Sequence, residues 1–172
     1  MKLIGLTGAA GAGKDTVADC LQMEFDYSRL SFAEPMKQMA AMLGAPNPTT
    51  REEKEGPHPV LKTVTWRQIY QEIGTELVRK WNPDAWVLIM QARLQLLGLT
   101  PRVVISDVRF ENEAAWIRSR GGQIWHIVRP DVQKVREHVS EAGIQPIPED
   151  QFIYNTSSIE ALHMLVRIMV DE

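Results

Sequence analysis

Apolar and polar positions follow two rhythms along this 172-residue chain. Lys2-Leu3-Ile4-Gly5-Leu6-Thr7 is a short apolar run that reads as a buried strand. After it, Val17, Cys20 and Leu21 recur at helical spacing. Carried along the chain, the same reading predicts further strands over 29–32, 102–106, 123–128 and 152–154. It predicts helices over 13–25, 35–43, 66–81, 84–97, 111–120 and 158–170, with Gly121-Gly122 as a helix stop. Met36, Met39, Ala40 and Leu43 form a stripe expected in the core, and Ile159, Leu162, Leu165, Val166 and Met169 are expected buried in the last helix. Short strands alternating with helices point to an α/β class: a parallel sheet of roughly five strands flanked by helices.

Two segments break the rhythm. Residues 44–65 hold Pro46, Pro48, Pro57 and Pro59 around the charged run Arg51-Glu52-Glu53-Lys54-Glu55, and residues 131–150 are polar and end in Pro146-Ile147-Pro148. A long irregular loop inside a compact domain is more often functional than idle. The first is expected to belong to a small substrate flap, within a helical region of about 44–100, and the second to be a short lid. The chain is expected to form a single domain. With 19 Lys+Arg against 22 Asp+Glu the net charge is −3, so no global basic field argues for a nucleic-acid polymer as partner. The N-terminal apolar stretch is too short for a signal peptide or a membrane span, which leads to the expectation of a cytoplasmic protein. Cys20 is the single cysteine and is expected to be a buried apolar residue, and the four histidines (His58, His126, His138, His163) show no metal-ligand spacing.

Between the first strand and the first helix lies Gly8-Ala9-Ala10-Gly11-Ala12-Gly13-Lys14-Asp15-Thr16, the pattern GxxxxGK in the strand–loop–helix setting that it needs. Glycines let successive backbone N–H groups turn inward, the helix N-terminus adds its positive dipole end, and Lys14 reaches the outer phosphates. Ala10, Gly11, Ala12, Gly13, Lys14, Asp15 and Thr16 are therefore expected to cradle a nucleoside triphosphate. The residue after the lysine, ordinarily a Ser or Thr on Mg²⁺, is Asp15, so Thr16 is the candidate loop ligand for the metal. A dinucleotide-binding GxGxxG is excluded, because Gly11-Ala12-Gly13 is followed by Lys14, Asp15 and Thr16.

In parallel sheets, ligands sit beyond the carboxyl ends of the strands. The strand over 102–106 leads there to Asp107 and Arg109, with Glu113 on the next helix. Asp107 is placed as a carboxylate for Mg²⁺ or its water, although an Asp here also suits a helix N-cap. Arg109 carries the fork geometry that suits an anionic group. Lys37 opens a helix aimed at the same edge; Arg67, Gln71 and Gly74-Thr75 lie off the apolar face of theirs. A mid-helix glycine costs about 1 kcal/mol against Ala, so Gly74 points to close approach by a ligand or a neighbouring helix.

The chain resembles the phage deoxynucleoside monophosphate kinase family nearly end to end. The resemblance rests on GLTGAAGAGKDTVAD from Gly5, SFAEPMK from Ser31, WRQIYQEIGTE from Trp66, PDAWV from Pro83, ISDVRFENEA from Ile105, RGG with IWHIVRP up to Pro130, and HVSEAG from His138. The GKDT form of the loop is itself typical of that family. The resemblance implies a P-loop kinase fold and transfer of the ATP γ-phosphoryl group to the 5′-phosphate of a deoxynucleoside monophosphate, with Mg²⁺. It further implies that Lys37, Arg67, Gly74, Thr75, Trp86, Asp107, Arg109 and Glu113 surround the acceptor, with Arg51 in the flap and Ser140 in the lid, beside His138 and Glu141, as weaker candidates. Lys14, Asp107 and Arg109 are the expected catalytic set, and Thr16 and Asp107 the metal ligands. Because the acceptor is an anionic phosphate oxygen, no general base is needed, and catalysis is positioning plus neutralisation of charge. Two rivals stay open: another small-molecule kinase similar to the dephospho-coenzyme A kinases, and a non-catalytic ATP-binding switch. Whether the chain works alone or as a homodimer is open as well.

Overall fold

The structure, a computed structural model, describes residues 2–98, 102–130 and 143–171. The chain divides into two compact units, Met1–Ser31 with Gln91–Glu172, and Phe32–Met90.

The first unit holds the sheet: β1 (Lys2–Thr7), β2 (Ser28–Leu30), β3 (Arg102–Ile105), β4 (Gln123–Val128) and β5 (Gln151–Tyr154). All pairings are parallel and the order is β2-β3-β1-β4-β5. β1 is central, with Gly5 opposite Ile105 on one side and Ile124 on the other. A Cβ at Gly5 would lie 2.6 Å from Ile117, 2.9 Å from Ile124 and 2.9 Å from Val108, so the helix against this face sits as low as bare backbone allows. Helices α1 (Lys14–Phe25), α7 (Glu111–Arg118) and α8 (Ile159–Asp171) belong to the same unit. Leu6, Val17, Leu21, Val104, Trp125, Ile127, Ile153, Leu162 and Val166 pack into one buried cluster. Each such side chain contributes about 1.5–3 kcal/mol on leaving water.

The expected strands and helices are present, with ends shifted by one to three residues. The last helix buries only Leu162 and Val166 fully, while Ile159 and Leu165 are 61% and 39% exposed. α8 covers α1 along one narrow stripe, and its other apolar residues face outward. An ionic fork joins the two helices, Arg167 donating to Glu24 at 2.6 and 2.8 Å. Sequence spacing shows no metal-ligand pattern, yet the fold brings ligand atoms of Cys20, Glu24 and His163 within 4.8 Å of one another. Arg167 engages both Glu24 oxygens there, and burial with the neighbouring Glu24 carboxylate pushes the Cys20 thiol up to about 11.

The second unit is helical. Its elements are α2 (Glu34–Ala41), α3 (Arg51–Glu55), α4 (Trp66–Gln71), a π-helical turn (Glu72–Leu77), α5 (Val78–Trp81) and the first part of α6 (Ala85–Leu96). α3 lies inside the stretch expected to be irregular. Thr50 caps it by accepting from Glu53 N–H at 3.1 Å while Glu53 accepts from Thr50 N–H at 3.1 Å. Thr65 and Gln68 do the same for α4. Both are capping boxes. His58 is fully buried; its Nδ1 accepts from Val60 and Leu61 N–H, which puts the ring proton on Nε2. In α2 the expected stripe is half realised, Met36 and Ala40 being buried and Met39 and Leu43 42% and 39% exposed. The single helix expected over 66–81 is interrupted by the π-turn. Burial runs through Trp66, Ile69 and Tyr70, then resumes at Val78, leaving Leu77 and Trp81 42% and 71% exposed. One extra residue in a wide turn rotates all that follows.

A buried ionic hub closes the first unit beside β4. Asp150 accepts from Arg118 at 2.5 and 3.1 Å and from Ile147 N–H at 3.1 Å, and lies 3.0 Å from His126 Nε2. Burial opposes ionisation of Asp150, but the bonds from Arg118, His126 and Ile147 outweigh it and hold the carboxyl below its ordinary value of 3.8. A depressed carboxylate contributes stability above the unfolded-state pKa that is lost as pH falls through the folded one. Urea unfolding of the parent should therefore weaken as pH drops below about 3.8, and Asp150→Asn should flatten that acid limb. At pH 7, Asp150→Ala should cost about 3–5 kcal/mol by leaving Arg118 unpaired.

Candidate active site

In the first unit, the glycine-rich loop between β1 and α1 is held from below by backbone. Gly8 has φ +143°, and a Cβ there would lie 2.3 Å from the Ile127 carbonyl oxygen. Gly11 and Gly13 are also left-handed, at φ +81° and +107°. The Lys14 ammonium folds back across the loop, donating to the carbonyls of Gly8 at 2.7 Å and Ala9 at 2.8 Å. Gly13 caps α1 with no side-chain bond. The result is a curled backbone at a helix N-terminus with an ammonium over it, which is an anion site by charge and by donor supply. Asn155, one residue past β5, donates to the Ala12 carbonyl at 2.9 Å.

Asp15 forms an ion pair with Arg29 of β2, and the same guanidinium reaches Asp19 at 2.5 Å. The residue in the usual metal-ligand position is thus engaged in an ionic link between α1 and β2. Thr16, one place on, is half-buried.

Beyond β3 the chain turns through Asp107 and Arg109 into α7. Val108 N–H donates to the Leu6 carbonyl at 3.0 Å, seating this turn beside the end of β1. Asp107 does not cap the helix, since the N-cap residue is Phe110. Its Oδ2 instead accepts from Ser31 Oγ at 2.7 Å. Glu113 is 2% exposed, and its Oε2 accepts from the backbone N–H groups of Arg109 and Phe110 at 2.8 and 3.2 Å. Its observed work is to fix the turn that carries Arg109.

The remaining candidates lie in the second unit. Lys37 is half-buried on α2. Arg67 pairs with Glu55, Nε to Oε1 at 2.8 Å. Gly74 and Thr75 sit in the π-turn, where a Cβ on Gly74 would lie 2.9 Å from Met36 Sδ, so the neighbour that comes close to this glycine is α2. Trp86 is 5% exposed, and its indole N–H donates to the Gly74 carbonyl at 2.8 Å, so the ring supports the π-turn from within. Arg51 opens α3. Ser140, His138 and Glu141, with the lid segment through residue 142, lie outside the described residues. Sequence reasoning missed Ser31 and Arg29 as partners of site carboxylates. Ser31 opens the SFAEPMK motif, which is the one signal that pointed to it.

Comparisons with known proteins agree with this site. Residues 57–166 match the family described as Deoxynucleotide monophosphate kinase. The chain belongs to the deoxynucleotide monophosphate kinase family. It is therefore a nucleotide kinase. A protein of Acanthamoeba polyphaga mimivirus, provisionally described as a deoxynucleotide monophosphate kinase, is 33% identical across 99% of this chain and 97% of its own length. The deoxynucleotide monophosphate kinase of Escherichia phage RB69 is 30% identical over 58% of this chain and 43% of its own. In fold, the family member is similar to shikimate kinase from Aquifex aeolicus, with a TM-score of 0.58 at 15% identity over 98% of this chain and 96% of that one. It is also similar to dephospho-CoA kinase from Campylobacter jejuni, with a TM-score of 0.52 at 14% identity over 100% and 97%. Among the described residues no helix is long and apolar enough to cross a membrane.

The loop glycines of this kinase should differ sharply in tolerance. Gly8→Ala sets a methyl group against the Ile127 carbonyl and should cost more than about 3 kcal/mol. Gly11→Ala meets nothing within 4 Å and should cost only its left-handed strain, about 1 kcal/mol. Chemical denaturation of both variants measures the difference.

Proposed function

We propose that this kinase transfers the γ-phosphoryl group of ATP to the 5′-phosphate of a deoxynucleoside monophosphate, with the donor held by the loop 8–16. The observation that carries the reading is the Lys14 ammonium folded over the carbonyls of a left-handed glycine loop at the start of α1. Only a strongly anionic group on that loop would repay drawing the ammonium away from those carbonyls.

Each residue then has a task. Lys14 neutralises charge on the transferring group, and the amides of residues 11–16 bind the donor phosphates. Thr16 and Asp107 offer a hydroxyl and a carboxylate, hard oxygen donors of the kind Mg²⁺ takes, and the bond from Ser31 orients one Asp107 oxygen. When bound, Mg²⁺ screens the donor phosphates and keeps them in one geometry. Arg109, on the turn braced by Glu113, stabilises charge in transit. Lys37, Arg67, Gly74 and Thr75 are assigned to the acceptor nucleotide, with Arg51 and Ser140 as further contacts; Trp86 serves them by holding the π-turn. The acceptor oxygen is already an anion, so proximity and charge neutralisation supply the rate.

A coupled assay of ADP release tests the substrate class: turnover with dTMP, dGMP or dCMP and none with dephospho-coenzyme A supports it, and the reverse overturns it. Lys14→Ala should lower kcat at least about a hundredfold while the circular dichroism spectrum is kept. Arg109→Ala should impair acceptor use more than ATP affinity; unchanged acceptor kinetics would make Arg109 structural.

A further inference from the structure

We propose that Asn155 is a positioning residue for the phosphate loop: its side-chain amide locks the peptide between Ala12 and Gly13 in the orientation that presents the Gly13 N–H to the donor phosphates. The inference rests on the reading of loop 8–16 as the donor site.

A trans peptide is planar, with its C=O and N–H pointing to opposite sides. The Ala12 carbonyl points at Asn155 Nδ2, 2.9 Å away and buried. The N–H of Gly13, in the same peptide plane, therefore points away from Asn155. Glycine is the residue least able to hold such a plane by itself, because it crosses between positive and negative φ at little cost. Gly13 sits at φ +107° with no Cβ to resist rotation. The restraint comes from outside. Ala12 is fully buried and its own N–H donates to the Ala9 carbonyl at 3.1 Å, so both of its backbone polar groups are engaged.

Asn155 is itself held. Its backbone N–H donates to the Val128 carbonyl at 2.8 Å, which extends the β4–β5 ladder by one bond, and the residue is 9% exposed. A Cβ on Gly13 would come 2.7 Å from Asn155 Nδ2 and 3.2 Å from Leu162, so the amide packs directly on the glycine. An amide that is buried, anchored by the sheet and within 2.9 Å of a loop carbonyl is a donor pre-set for that carbonyl. The end of β5 thus sets the aim of a loop amide 142 positions earlier in the chain.

The decisive variant is Asn155→Asp, which keeps the shape but turns an oxygen toward the Ala12 carbonyl; Asn155→Ala removes the donor without adding charge. Both should raise KM for ATP about tenfold or more, with KM for the deoxynucleoside monophosphate changed less than about twofold. Calorimetric titration with a non-hydrolysable ATP analogue should show the same loss, and thermal unfolding reports whether each variant folds. If Asn155→Asp does not fold, Asn155→Ala alone decides. Unchanged ATP affinity in the folded variants, or donor and acceptor KM rising together, overturns the proposal. Lys14→Ala is the control for the underlying reading: undiminished ATP binding in that variant refutes the loop as donor site. Loss there without loss at Asn155 refutes only the lock.

Discussion

The close packing around β1 is the constraint on which the site depends. β1 is flanked by β3 and β4, has bare backbone at Gly5 where Ile117, Ile124 and Val108 press in, and ends at Gly8 against the Ile127 carbonyl. No side chain fits at either glycine without displacing its neighbours. The loop therefore leaves the sheet at a fixed height and direction, and α1 begins where that loop finishes. Neighbouring turns are drawn to the same edge by backbone bonds, Val108 to Leu6 and Asn155 to Val128. The chemistry of the first unit is in this sense a property of the sheet's carboxyl end, with side chains added to it.

Those side chains are mostly aimed by other polar groups. Ser31 holds Asp107, Glu113 holds the backbone under Arg109, Arg29 takes Asp15, and Trp86 takes the Gly74 carbonyl. Positioning of this kind costs nothing at the moment of reaction, because the groups are already arranged. It also divides labour among carboxylates that look alike in the sequence. Glu113 is buried on amides, Asp15 lies in an exposed ion pair, and Asp107 keeps a hydroxyl partner beside the loop.

The parallel sheet and the glycine loop were legible because each is a local pattern: apolar runs of strand length, and glycines at fixed spacing before a lysine. What escaped depended on long-range pairing. Nothing near Arg29 says that it faces Asp15, and nothing near Asn155 points to Ala12. α3 escaped for a different reason. Its capping box, Thr50 with Glu53, was readable, but prolines and charge in the flanking stretch masked a five-residue helix. The apolar stripe of α8 was read too wide, because periodicity shows which face is apolar and not how much of it finds a partner.

The π-turn at Glu72–Leu77 has a consequence for how this region tolerates change in length. An α-helix advances about 100° per residue, and a wide turn inserts one such step into the stripe. Trp66, Ile69, Tyr70 and Ile73 continue by ordinary helical spacing to Leu77 and Trp81, but the buried residue after the turn is Val78. The segment thus encodes two registers at once, one realised and one latent. Removing a single residue from the turn would restore an unbroken α-helix and swing the following turn by about 100°. Val78 would leave the interior and the carbonyl now held by Trp86 would return to the helix ladder. Gain and loss of one residue here act as a rotation of everything downstream and not merely as a change of length.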